Sequence, residues 1–162
     1  MSTDGPSILP PQGIGEYCNR EVVITERERS IRDAARLMRN HHVGDLVVVE
    51  RYEGEMIPVG ILTDRDLVVE VLAEEVGVDE VTVADVMSAP AALAREEDDL
   101  WETLMRMQSW GVRRMPVVSA SGTLQGIITV DDLLELFTEY MHDLVKVVTR
   151  EQERELTRRG AQ

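Results

Sequence analysis

Two octapeptides, GILTDRDL at residues 60–67 and GIITVDDL at residues 126–133, share a glycine, an isoleucine, a threonine, an aspartate and a closing leucine at one spacing. The residues able to do chemistry are the threonine and the aspartate three positions on: Thr63 with Asp66, and Thr129 with Asp132. One use of that spacing is a capping box, in which the hydroxyl and the carboxylate satisfy the first free N–H groups of a helix. The other use is binding. A helix N-terminus that follows a strand offers N–H groups and a positive dipole end to an anion. A carboxylate beside it accepts hydrogen bonds from two vicinal hydroxyls, such as a ribose presents. Gly60 and Gly126 would then let a ligand come close to the backbone. Duplication does not choose between these uses, because a cap is inherited as readily as a site.

Other chemistry is sparse. His41 and His42 are adjacent, which is not a metal-ligand spacing, and belong at a helix end. Trp101 and Trp110 flank a helix and suit a core or an interface better than stacking on a base. The glycines at 13 and 15 lack a preceding strand and the rest of a dinucleotide fingerprint. No Ser/His/Asp set, Cys/His set or clustered acid pair recommends an enzyme.

The elements that must position the threonines repeat as well. With a shift of 69 residues, 17–38 falls on 86–107 with a matching apolar pattern, and HVGDLVVV (42–49) falls on GVRRMPVV (111–118). The shift then drops to 66, so a turn is shorter in the second copy. Each copy reads as a short strand (22–25; 91–94), a helix, a β-branched strand (46–49; 115–118), a turn, a second strand (57–62; 124–128) and a closing helix (64–76; 131 onward). The first helix carries Ile31, Ala34, Ala35 and Met38 on one face, matched by Leu100, Leu104 and Met107, with Ser30 and Asp99 as N-caps. The fold class is α/β (α+β), a tandem of β-α-β-β-α units. A three-stranded sheet with helices on one face leaves the other bare, and two copies cover that deficit by packing as a pseudo-twofold pair. The expected boundaries are a flexible tail (1–13), first unit (14–76), linker (77–90), second unit (91–141) and helical extension (142–162). TVADVM inside the linker reads as one helical turn capped by Thr82, and the polar end of the extension as a frayed one.

Order, spacing and duplication together resemble a pair of CBS domains (the cystathionine β-synthase domain), a Bateman module. The carriers are HVGDLVVV…VGILTDRDL and GVRRMPVV…LQGIITVDDL, each preceded by a helix like SIRDAARLM, and they span residues 17–141. The resemblance implies a regulatory module, not an enzyme, with no catalytic cofactor or metal. Its ligand would be adenosine-containing (AMP, ADP or ATP), held in clefts between the units. It assigns Asp66 and Asp132 to ribose hydroxyls and Thr63 and Thr129 to ribose or phosphate. Val22 and Val23, with Ala91 and Ala92, would surround adenine. A basic position before the second strand, held here by Arg113 and Arg114 beside Met115 and Pro116, would touch phosphate. Gly44 and Asp45 stand there in the first copy, where an acidic side chain disfavours phosphate and Arg65 would compensate. The expected clefts are therefore inequivalent, with Asp132 and the two arginines making the tighter one. The competing expectation is an interaction module whose Thr-x-x-Asp turns serve only as caps.

Composition limits the partners. A net charge of −14, with Lys146 the lone lysine, opposes nucleic acid and anionic membranes. The single Cys18 fits a reducing compartment. No apolar run or signal-peptide pattern stands out, so the expected location is the cytoplasm. Length leaves too few residues outside the repeat for a fused enzyme. An apolar stripe from 133 to 148 outruns what one unit can bury and predicts a homodimer.

Overall fold

In the computed structural model, which describes residues 13–159, β1 (Ile24–Glu26) runs parallel to β2 (Asp45–Tyr52), with Ile24 beside Val47. β2 pairs antiparallel with β3 (Glu55–Thr63), from Asp45 opposite Thr63 to Tyr52 opposite Glu55. Glu53 and Gly54 close this hairpin with φ of 51° and 87°, the two positive values that match a two-residue turn to strand twist. Between β1 and β2 lies α1 (Ile31–His41), which buries Ile31, Ala34 and Met38. Ala35, expected on that face, is exposed, and Leu37 packs on the core instead. Ser30 Oγ caps α1 by accepting from Asp33 N at 3.1 Å. β3 leads into one α turn, α2 (Asp64–Asp66), and the winding then widens into a π-helix, Leu67–Leu72. The uniform helix expected over 64–76 is thus shorter and irregular.

The second copy repeats the plan. One turn, α3 (Val83–Val86), precedes β4 (Ala94–Arg95), α4 (Leu100–Trp110), β5 (Arg114–Val118) and β6 (Leu124–Thr129), and the sheet order is β4-β5-β6. Asp99 Oδ1 caps α4 through Trp101 N and Glu102 N at 2.7 and 3.3 Å. Both first helices end in left-handed backbone at equivalent positions, Gly111 (φ 65°) and His42 (φ 56°).

The segment leading into each copy packs on the other copy. Ile14 N and Gly15 N donate to Asp98 O and Glu96 O, both at 3.0 Å, and Asn19 exchanges two backbone bonds with Ile127. Shifted along the repeat, Val83 N and Ala84 N donate to Arg29 O and Arg27 O, both at 2.9 Å, and Ser88 exchanges two with Ile61. Much of the segment expected to be a linker is therefore structural: residues 83–88 complete the first copy. The other expected terminal segment, 1–13, lies outside the described residues except for Gly13.

Alternation along β2 explains why its apolar run is unbroken. Leu46 and Val48 face the helices and join Ile31, Ala34, Met38, Leu62, Val71 and Val83, whereas Val47 and Val49 meet Ile127 of the second copy. All four β2 residues are at most 1% exposed, as expected of a strand covered on both faces. Removing each side chain from water contributes about 1.5–3 kcal/mol.

Residues through Ile128 form one compact unit and those from Thr129 a second. The second unit is α5 (Val130–Arg159), a single helix of 30 residues that remains wound through the polar stretch expected to fray. Leu133 and Leu136 are its buried residues, whereas Leu134, Met141, Leu144, Val145, Val147, Val148 and Leu156 are exposed. No described helix is long and apolar enough to cross a membrane, and no described cluster of side chains suits a metal ion.

Candidate functional site

The first threonine turn forms because β3 ends where the chain must reverse into α2. Thr63 is extended (φ −113°, ψ 160°), so its hydroxyl points along the new helix. Asp66 Oδ2 accepts from Thr63 N and Thr63 Oγ1, both at 2.8 Å, and Thr63 Oγ1 accepts from Asp66 N at 3.2 Å. Asp66 Oδ1 accepts no hydrogen bond among the described residues. The second turn is built alike: Asp132 Oδ2 accepts from Thr129 N and Oγ1, both at 2.7 Å. A third threonine–aspartate turn caps α3, where Asp85 Oδ2 accepts from Thr82 N and Oγ1, both at 2.8 Å, on an exposed surface. Those bonds hold the Asp85 carboxyl below its usual range. Capping geometry alone therefore does not distinguish a site.

The Thr63 turn lines a cavity of 830 Å³ in the first unit. Thr63, Asp64 and Arg65 line one side; residues 87–92 and 110–114 line the other. It gathers Thr63, Arg65, Ala91, Ala92, Arg113 and Arg114, all expected at a binding site, although they come from both copies. The sequence set Asp45 and Arg65 beside the first turn and Arg113 and Arg114 beside the second; in the structure Arg113 and Arg114 line the cavity with Thr63 and Arg65. Exchange of the leading segments explains this: Ser88, bonded to Ile61, draws the second copy against the end of β3.

Asp45 does not confront the cavity unpaired. Its Oδ1 accepts from Arg114 Nη1, the two side chains being 22% and 32% exposed. Burial nevertheless pushes the Asp45 carboxyl above its usual range, against the pull of Arg114 and with Asp64 adding a like charge. The pair joins positions 69 residues apart, the spacing that relates the copies, so equivalent sites supply its two members.

Other expected residues fall elsewhere. Val22 and Val23 line a separate cavity of 530 Å³ with Asn19, Glu21, Ile24, Leu37, His41 and Val43. Met115 and Pro116 are buried within β5. Asp66 lies one residue beyond the lining segment of the larger cavity. Trp110, expected to serve packing, lines that cavity and is 54% exposed. Its place three residues before Arg113 was the available signal.

The motif glycines serve the crossing of the chain. A Cβ on Gly126 would stand 2.6 Å from Cys18 Sγ and 2.7 Å from Asn19 O. One on Gly60 would stand 2.8 Å from Met87 Sδ and 3.0 Å from Ser88 O. Close approach is indeed required, but the exchanged segment makes it, where the sequence had suggested a ligand.

This duplicated unit, with its exchanged leading segments, defines a CBS domain pair. The CBS domain family model matches residues 14–73 and 83–139, and the chain belongs to that family. An uncharacterised protein of Methanopyrus kandleri is 34% identical over 123 residues, covering 76% of this chain and 61% of the relative, so the chain spans about three fifths of that relative's length. The hexameric CBS-CP12 protein from bloom-forming cyanobacteria is similar in structure, with a TM-score of 0.66 and 29% identity over 75% of this chain and 69% of that one. The CBSX2 protein, solved in complex with AMP, shares the fold at a TM-score of 0.66 and 22% identity, over 81% of this chain and 99% of that one.

Proposed function

We propose that the chain is a regulatory module that binds an adenine nucleotide (AMP, ADP or ATP) in the Thr63 cavity. One observation carries this reading: a single cavity brings the threonine–aspartate turn of one copy to Arg113, Arg114 and Trp110 of the other. Its 830 Å³ falls in the size range of small-molecule sites. In this reading Asp66 Oδ1 takes the ribose hydroxyls, Ala91 and Ala92 flank the base, and the arginines hold the phosphate by charge-assisted hydrogen bonds. Because the lining comes from both copies, occupancy changes how tightly they hold one another. That change passes to subunit arrangement or to a partner. A ligand that binds only the folded protein raises its thermal midpoint. In a panel of AMP, ADP, ATP, NAD and S-adenosylmethionine, the adenine nucleotides are expected to give the largest shifts; none across the panel rejects the reading.

The cap at Thr82 favours a second reading, in which every threonine–aspartate turn is structural and the module only makes contacts. The same panel separates the two.

The homodimer belongs to the same proposal. Its support is the stripe of Met141, Leu144, Val145 and Val148, each more than half exposed on α5. Acidic residues (Asp131, Asp132, Glu135, Glu139, Asp143) dominate the first half of α5, and basic residues (Lys146, Arg150, Arg154, Arg158, Arg159) outnumber acidic ones in the second. Antiparallel contact of two copies therefore sets unlike charge against unlike. A light-scattering mass of one 18.2 kDa chain rejects the dimer, and Leu144→Glu with Val148→Glu is expected to dissociate it.

A further inference from the structure

Arg114 opens β5 and Asp45 opens β2, and their ion pair is a direct side-chain tie between the two copies. Arg114 lines the Thr63 cavity; Asp45 is not among its lining residues, so it grips the guanidinium from outside the space a ligand would fill. Among the described residues, Arg114 from β5 and Asp64 from α2 act on the Asp45 carboxylate. Asp64 also lines the cavity. A phosphate entering there meets a guanidinium already bonded to a carboxylate, with a second carboxylate nearby.

We propose that Asp45 is a built-in competitor for the ligand phosphate, and that phosphate binding at Arg114 releases the Asp45 tie between the copies. This rests on the nucleotide reading above. The physical sequence is short. The phosphate takes the Arg114 Nη1 donor now pointed at Asp45 Oδ1. Asp45 is then left mostly buried beside Asp64 without its counter-charge, which is costly for a carboxylate. It recovers by accepting a proton from solvent, becoming neutral, while the phosphate keeps Arg114. Ligands without a phosphate leave the pair intact. Asp45 thus makes the cavity selective against weakly charged anions and couples occupancy to the contact between copies. Sequence position gives the device its direction: the equivalent residue in one copy is the cation and in the other its competitor.

The test is calorimetric titration of the full chain with AMP and with adenosine, comparing the parent with Asp45→Asn and Asp45→Ser. Two variants guard against a folding defect in either, checked by circular dichroism. The expected result is AMP binding about tenfold tighter in both variants, with adenosine unchanged. In the parent, the preference for AMP over adenosine is expected to gain more than in the variants as pH falls from 7, because protonating Asp45 frees Arg114. Titration of the AMP phosphate itself is common to all three proteins. AMP affinity that is unchanged, or that falls, in both variants overturns the competitor role, the latter making Asp45 a positioning residue for Arg114. A parent that binds neither AMP nor adenosine overturns the nucleotide reading and the competitor role together.

Discussion

Two cavities of the first unit share positions of the repeat and differ where charge matters. Ser88, Ala91, Ala92, Trp110 and Val112 of the 830 Å³ cavity correspond to Asn19, Val22, Val23, His41 and Val43 of the 530 Å³ cavity. The next two positions are Arg113 and Arg114 in one copy and Gly44 and Asp45 in the other. Duplication supplied the scaffold twice, and a change at about three positions separated the chemistry. The scaffold therefore identifies the family, whereas the arginines and the tryptophan distinguish one cavity from the other.

The largest expected effects come from the glycines that admit the crossing segments. Gly126→Ala is expected to destabilise by about 1–3 kcal/mol, since a Cβ there meets backbone and Cys18 and the packing must yield. Gly126 abuts Asn19, of the smaller cavity, so AMP binding should survive in the folded fraction. Gly60→Ala should cost somewhat less, because Met87 Sδ can move, but it disturbs Met87 and Ser88 of the larger cavity and should weaken AMP. Chemical denaturation paired with AMP titration checks both. Equal AMP loss in the two variants would break the distinction between the cavities.

Next come the caps. Asp85→Ala and Asp66→Ala each remove a carboxylate that accepts two bonds from its threonine. Each should lower the denaturation midpoint by weakening its capping box, and only Asp66→Ala should change ligand affinity. Asp85 thus serves as an internal control for the capping contribution. Affinity lost equally in both would mean that the effect of Asp66 is structural.

The smallest effect concerns the helix ends. His42 and Gly111 occupy equivalent left-handed positions, and a side chain is disfavoured there. His42→Gly is expected to stabilise by a few tenths to about 1 kcal/mol, measurable as a rise in denaturation midpoint. A loss of stability would show that the His42 side chain makes a contact worth more than the strain.

Much of this fold was legible because it rests on local pattern. The stripe of Ile31, Ala34 and Met38, the caps at Ser30 and Asp99, and the turn at Glu53–Gly54 all follow from spacing and turn chemistry. The covered second face of β2 was legible as well, because a three-stranded sheet with helices on one face needs a second copy to cover the other. The exchange of leading segments was not. It depends on backbone bonds such as Asn19 to Ile127, over a hundred residues apart, which leave no periodicity. That omission grouped Arg113 and Arg114, by proximity in sequence, with the turn that follows them, whereas they line the cavity beside Thr63. It also misdirected the glycines, whose need for space was read correctly and whose neighbour was not. The widening of the helix after Asp66 left no sequence signal that we could identify.

In the proposed reading the Thr63 cavity, with the arginines of the other copy, is the tighter nucleotide site. Calorimetric titration with AMP of Asp66→Ala and Asp132→Ala tests it most directly. Losing a hydrogen bond to a charged group costs about 1.5–3 kcal/mol, or roughly 10- to 150-fold in affinity. That loss is expected in the tightest binding phase of Asp66→Ala, with the phase retained in Asp132→Ala. Loss of the tightest phase in Asp132→Ala alone, with Asp66→Ala unchanged, would contradict it.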